Sequence, residues 1–325
     1  MREALNFALD AALAADDRVF LLGEDIADPG ASGPTAGLST KYGADRVLDT
    51  PISEAAIVGA AIGAAIDGLL PVAEIMIMDF IGIAADQIIN NAAKLRFMTA
   101  GRTTAPITVR TQVYGGLATG ATHSQTLEAW FMHIPGMKVV VPSTPRDGKG
   151  LLTSAIFDED PCLFVETIRL QGQKGLVPTD PGFSIPLGQA DVKRAGTDVT
   201  LVGYGRSVHD ALAAAATLAE QGVSAEVVDL RTLVPLDVDT LVESVGRTRR
   251  AVVVHDAVEF AGPGAEVAAI LQSELFGELA APVERVGARF VPAPAAPLLE
   301  AQIYPSATRI IEAVQRTLDR TGSRG

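Results

Sequence analysis

Apolar side chains fall at Leu5, Ala8, Leu9, Ala12 and Leu13, the three-and-four spacing of a helix with one buried face, and Val19-Phe20-Leu21-Leu22 follows as a continuous apolar run of strand length. Helix then strand opens an α/β layer. The alternation continues, with strands expected at 71–77, 107–110, 138–141 and 163–165 and helices at 54–66, about 84–99 and about 147–157. Residues 28–40, rich in Gly, Pro, Ser and Thr, read as a long loop at a strand end, where such sheets build sites. The stretch 171–188 is rich in Gly and Pro and lacks periodicity, the mark of a linker. Beyond it a second series appears: strands at 199–202, 225–228 and 251–254, and helices at 208–219, 238–245 and 266–275. No short-period repeat is present. The expected architecture is two three-layer α/β domains, 1–178 and 193–325, joined by a linker at 179–192.

The helix at 54–66 departs from the amphipathic pattern. After Glu54 it runs Ala55-Ala56-Ile57-Val58-Gly59-Ala60-Ala61-Ile62-Gly63-Ala64-Ala65-Ile66, apolar all round, so cover on every side is expected. It is too short to span a bilayer. Gly59 and Gly63, four apart, would admit a neighbouring helix or another subunit. The turn Thr50-Pro51-Ile52-Ser53, with Ser53 as the expected N-cap, delivers the carboxyl of Glu54 to the helix mouth. Two readings stay open: a first-turn acid offsetting the helix dipole, or a carboxyl tuned to give and take a proton.

Composition narrows the function classes. The 325 residues are 48% hydrophobic and carry 26 Lys and Arg against 39 Asp and Glu, a net charge of −13, which repels phosphate backbones and anionic lipid and argues against nucleic acid or membrane as partner. One cysteine, Cys162, cannot form an internal disulfide, and no Cys/His cluster has zinc spacing. No secretory signal opens the chain, so a cytoplasmic location is expected.

One motif misleads. Gly203-Tyr204-Gly205 follows an expected strand, opens a helix and has Asp229 downstream, close to a dinucleotide-binding layout. The third glycine position is Val208, and Gly262-Pro263-Gly264 fails in the same way at Val267, so plain strand-to-helix turns account for both. There is no P-loop either.

Thr50-Pro51-Ile52-Ser53-Glu54, with Phe80 and the block His123-Ser124-Gln125-Thr126-Leu127-Glu128-Ala129-Trp130-Phe131, resembles the beta subunit of the thiamine-diphosphate-dependent first component of 2-oxoacid dehydrogenase complexes, of the pyruvate, branched-chain and acetoin types. The likeness extends through Pro135-Gly136-Met137-Lys138, Pro142-Ser143-Thr144-Pro145 and Val228-Asp229-Leu230-Arg231-Thr232-Leu233, so it covers essentially the whole chain. It implies a transketolase-like pyrimidine-binding domain followed by a transketolase C-terminal domain. It also implies that Glu54 bonds a ring nitrogen of the cofactor's aminopyrimidine, that Phe80 and Met76 pack on that ring, and that His123 faces the substrate. A potassium ion is implied near the backbone of Ile107, Ala155, Ile156, Asp158 and Asp160; the acidic run 158–160 reads equally as a solvated loop. His133 and His209 read as incidental, a helix-end and a surface residue, and His255 is weighed with them.

The chain lacks a Gly-Asp-Gly motif with a downstream Asn; the resemblance implies that magnesium and the diphosphate are held by an alpha subunit in an α2β2 heterotetramer, with a lipoylated acyltransferase core as acceptor. A small 2-oxoacid or acetoin is the implied substrate. Departures from the family pattern stand at Ala118, Thr122, Thr167, Gln171, Val258 and 261–264. Two other readings remain: a split transketolase-like ligase that uses an aldehyde acceptor, and a non-catalytic scaffold subunit.

Overall fold

A computed structural model describes residues 1–27 and 33–319. Part of the predicted 28–40 loop, 28–32, lies outside the described residues. The chain divides into two compact units: Met1–Tyr114 with Trp130–Leu187, and Gly115–Ala129 with the chain from Gly188 onward.

The first unit contains β1 (Val19–Gly23), β2 (Val47–Asp49), β3 (Leu70–Ile77), β4 (Thr108–Val113), β5 (Lys138–Val140) and β6 (Cys162–Thr167). They lie in the order β5-β6-β4-β3-β1-β2, all parallel. The amphipathic Arg2–Ala15 helix sets Leu5, Leu9 and Leu13 against Leu151, Leu152 and Ile156 of the Pro145–Ile156 helix and against Leu21, Val72 and Phe164 of the sheet. Each such buried side chain contributes roughly 1.5–3 kcal/mol of transfer free energy.

Two expectations fail here. The helix at 84–99 is broken into a π turn at Gln87–Asn91, a 3-10 turn at Ala92–Lys94 and one α turn at Leu95–Met98. Polar side chains compete with the backbone there: the Asn91 amide donates to the Asp86 carbonyl at 3.4 Å. Gly136 also approaches so closely that a Cβ would lie 2.0 Å from the Ala93 carbonyl oxygen, with its own φ at +98°. The Glu54–Ile66 helix, expected to be covered all round, buries Ile57, Val58, Ala61, Ile62 and Ala65 but leaves Ala55, Ala56, Ala60, Gly63 and Ile66 exposed. One sheet face covers one helix face and no more. Gly59 meets the Gln87 side chain, whereas Gly63 faces open space.

The second unit contains β7 (Asp191–Arg194), β8 (Val199–Gly203), β9 (Ala225–Asp229), the short β10 (Thr232–Val234), β11 (Ala251–Val258) and β12 (Glu284–Ala288). Five of them form the order β12-β11-β8-β9-β7, parallel except for the antiparallel edge β7. Its core joins Val208, Ala211, Ala215 and Leu218 of the Ser207–Glu220 helix to Ile310, Ala313 and Val314 of the Ala307–Asp319 helix over Leu201, Val227 and Val254. Among the described residues no helix is long and apolar enough to cross a membrane.

Candidate active site

Parallel strands put their carboxyl ends along one edge of the first sheet. Gly23 pairs in register with Asp49 and Glu74, so Glu24 after β1, Glu54 after β2, and Met76 with Phe80 at the end of β3 all arrive there. Such edges are where open α/β sheets bind ligands.

Local hydrogen bonds explain how Glu54 is presented. Thr50 N–H donates to the Gly23 carbonyl at 2.9 Å, which ties the turn to β1. Ser53 does not cap with its side chain as expected; its hydroxyl donates back to the Pro51 carbonyl at 2.9 Å. Its own N–H instead donates to the Glu24 carboxylate at 3.3 Å. Glu54 is 4% exposed at the first helical position. Burial, and then the charge of Glu54, raise the Glu24 carboxyl above its ordinary range. The Ser53 turn thus brings Glu24 to the helix mouth that presents Glu54, and carboxyls are side chains that can hold and pass a proton. Glu24 carries no such local mark in the sequence: it follows β1 directly, without the turn and apolar helix that single out Glu54.

Phe80 sits half-buried in the 3-10 turn Met78–Gly82, whose Met78 and Ile81 are fully buried, and Met76 is also half-buried. Behind this edge, Arg110 on β4 is 1% exposed and pairs with Glu166 at 2.5 Å and Glu74 at 2.7 Å. Burial opposes the guanidinium charge, but the two carboxylates outweigh it and hold Arg110 above its usual range. Gln171, one of the departures from the family pattern, donates to the second Glu166 oxygen at 2.8 Å.

His123 belongs to the second unit. It is half-buried on a loop, with Nδ1 3.0 Å from the Thr122 hydroxyl and its carbonyl accepting from Thr119 at 2.8 Å. At the potassium positions, Lys138 bonds both oxygens of Asp158 at 2.6 Å and Arg96 holds Asp160 at 2.6 Å. The carbonyls of Ile107 and Ala155 accept from the N–H groups of Cys162 and Asp158. Among the described residues no group of three or more His, Cys, Asp or Glu could hold a metal ion.

His255, weighed as incidental, is a core residue. It is fully buried, stacks on Tyr204 at 6.2 Å between centroids, and its Nδ1 lies 2.9 Å from the Ala257 carbonyl. Burial pushes its pKa down to about 4. Gly262 and Gly264 abut the ring: a Cβ on either would come within 2.8 Å of it. The second false dinucleotide motif is therefore a cradle for an imidazole. His133 is exposed and His209 half-buried.

Comparison with known proteins identifies the family and the fold. Residues 1–172 match the family described as transketolase, pyrimidine binding domain, and residues 188–310 match transketolase, C-terminal domain. The chain is similar to the acetoin:2,6-dichlorophenolindophenol oxidoreductase subunit beta of Cupriavidus necator, at 47% identity over 97% of this chain and 96% of that one. It is 43% identical to the 2-oxoisovalerate dehydrogenase subunit beta of Bacillus subtilis, over 97% of each. Among solved structures, a split-gene transketolase described as an inactive beta4 tetramer superposes with a TM-score of 0.82 at 25% identity, covering 98% of both chains.

Proposed function

Since the chain belongs to the transketolase-like family of 2-oxoacid and acetoin dehydrogenase beta subunits, we propose that it provides the proton-handling half of a thiamine-diphosphate enzyme acting on a small 2-oxoacid or acetoin. The observation that carries the reading is Glu54, a buried carboxyl at a strand-end helix mouth beside the raised carboxyl of Glu24.

The residues fit one end of the cofactor. Glu54 offers a carboxyl for a ring nitrogen of an aminopyrimidine, and the half-buried Phe80 and Met76 offer apolar surface for its face. When bound, thiamine diphosphate supplies the carbon nucleophile and the electron sink. Glu54 would then hold or release a proton at its own carboxyl oxygens. His123 donates from its ring toward an anionic group of substrate. The other end of the cofactor finds no match: the chain has no Gly-Asp-Gly, and no metal-binding acidic cluster occurs among the described residues. Magnesium and the diphosphate are therefore assigned to an alpha subunit in an α2β2 assembly, and the acyl acceptor to the lipoyl group of an acyltransferase core, all in the cytoplasm. A potassium ion near Ile107, Ala155, Ile156, Asp158 and Asp160 would use backbone oxygens, because Lys138 and Arg96 already engage the two Asp side chains. An unfolding midpoint that rises with potassium but not with sodium tests this.

The deciding experiment purifies this chain with a candidate alpha subunit and assays pyruvate, branched-chain 2-oxoacids and acetoin with thiamine diphosphate, magnesium and an artificial electron acceptor. Turnover that needs both chains and vanishes in Glu54→Gln supports the reading; undiminished turnover in Glu54→Gln refutes it and favours a scaffold role. The resemblance to a split-gene transketolase favours a second reading, transfer of the activated fragment to an aldehyde. A hydroxyketone product, with no turnover on electron acceptors, would select it.

A further inference from the structure

We propose that Glu300 is a positioning residue that acts through His123, by clasping the loop that carries it. This rests on the proposed reading of His123 as a substrate-facing side chain. Residues 114–127 contain no helix or strand, so no regular backbone ladder holds His123 in place. The order must come from particular contacts.

Glu300 makes the strongest of them. It ends the single helical turn Pro297–Glu300 and is 2% exposed. One carboxylate oxygen accepts from Gly116 N–H at 2.9 Å and the other from Ala118 N–H at 2.6 Å. Gly116 and Ala118 both lie at positive φ, +88° and +58°. Ala118 pays a conformational penalty to be there, and the carboxylate offsets it. Converging backbone N–H groups of this kind form a concavity suited to an anion, and here the anion is the protein's own side chain. Tyr304 adds a second point of attachment. Its hydroxyl donates to the Ser124 carbonyl at 3.3 Å, and its ring fills the space beside Gly115, where a Cβ would lie 2.6 Å from the hydroxyl.

From the clasp the bonds run on to the histidine. Thr119, next to Ala118, donates to the His123 carbonyl at 2.8 Å and bonds the Ser124 hydroxyl at 2.9 Å. His123 N–H closes the loop on the Gly120 carbonyl at 3.3 Å. Removing Glu300 would leave the amides of Gly116 and Ala118 without their acceptor and release the chain between Tyr114 and Thr119. A displacement of about 1 Å in a group facing substrate is enough to cost roughly 100-fold in rate.

The test uses the assembled complex and whichever substrate the wild type turns over. Glu300→Gln keeps the shape, replaces one acceptor with a donor and removes the charge; Glu300→Asp keeps the charge but falls a methylene short. Both are expected to speed hydrogen exchange of amides 115–124 about tenfold or more, and Glu300→Gln to lower kcat by roughly 10- to 100-fold with a smaller change in KM. A double-mutant cycle with His123→Ala separates positioning from general damage: Glu300→Gln should cost little in a chain that already lacks the His123 side chain. Independent, multiplying losses would overturn the proposal, and so would unchanged exchange in 115–124. Should Glu300→Gln fail to fold, Tyr304→Phe makes a milder opening of the same loop, with faster exchange expected around Ser124 and unchanged exchange overturning the clasp. A wild-type complex without thiamine-dependent turnover would sink the proposed function, while the exchange measurement would still decide whether Glu300 holds the loop.

Discussion

Glu128 allows a quantitative test of the second unit. Its side chain is fully buried; one carboxyl oxygen accepts from the Tyr204 hydroxyl at 2.6 Å, and the other has no hydrogen-bond partner among the described residues. Burial, more than anything else, lifts its pKa from an ordinary 4.5 to about 7. The native state therefore binds a proton that the unfolded chain has released between those values. Stability from this group is fully present below pH 4.5, falls as pH rises, and is lost above about 7. At about 1.4 kcal/mol per pH unit, the loss across the window is on the order of 3 kcal/mol. Glu128→Gln keeps the acceptor for Tyr204 and cannot ionise, although its amide nitrogen inherits the unpartnered position and lowers stability by about 1–3 kcal/mol at every pH. Urea unfolding of both proteins at pH 5 and pH 8 isolates the term, since other titrating groups cancel in the difference. The wild type should lose about 2.5 kcal/mol more than the variant over that interval, the remainder having gone below pH 5. Equal losses would show that Glu128 stays ionised in the folded protein and would refute the reasoning.

Two further changes probe packing. Gly264→Ala drives a methyl to 2.6 Å from the buried His255 ring, and a midpoint drop corresponding to about 1–3 kcal/mol is expected by calorimetry, with no effect expected had the glycine served only a turn. Arg110→Met strands Glu74 and Glu166, so roughly 3–5 kcal/mol should be lost at pH 7 and partly regained at pH 5, where Glu166, whose pKa burial already raises, takes up a proton; a pH-independent loss would count against the ion-pair account.

How much of this was written in the chain depends on how local each feature is. Glu54 was legible because turn, acid and apolar helix follow one another directly in the chain, and the period-matched cores of both units were legible because their signals are equally local. Edge strand β7, Asp-Val-Lys-Arg, was not, because a charged edge carries none of the apolar signal of a buried strand. Nor was Glu24, because only the pairing of β1 with β2 brings it to the Ser53 turn. His255 was misjudged because its burial depends on Tyr204, Gly262 and Gly264, which no local window joins to it. The broken helix at 84–99 joins side-chain bonds to Asp86 with the close approach of Gly136 to Ala93, about forty residues away in the chain, which no local window shows.

The uncovered face of the Glu54–Ile66 helix turns the remaining misreading into a prediction. Hydrophobic periodicity could not say which face the sheet would take, because every face was apolar; the structure leaves Ala55, Ala56, Ala60, Gly63 and Ile66 exposed, with Ile52 beside them 82% exposed. A face of Ala and Gly permits close backbone approach, and it flanks Glu54, the residue whose cofactor the proposed function completes with a second chain. Placing a charge there separates folding from assembly. Ala60→Glu should change the stability of the isolated chain by no more than about 0.5 kcal/mol, since the site is exposed and sits on a helix that tolerates glutamate. In a complex the same carboxylate would be buried without a partner, at a cost of several kcal/mol, so association with the alpha subunit should weaken by about 100-fold or more. Sedimentation of mixtures, together with thermal unfolding of the chain alone, gives both numbers. Undiminished association would show that this face stays in water and that the alpha subunit meets the chain elsewhere.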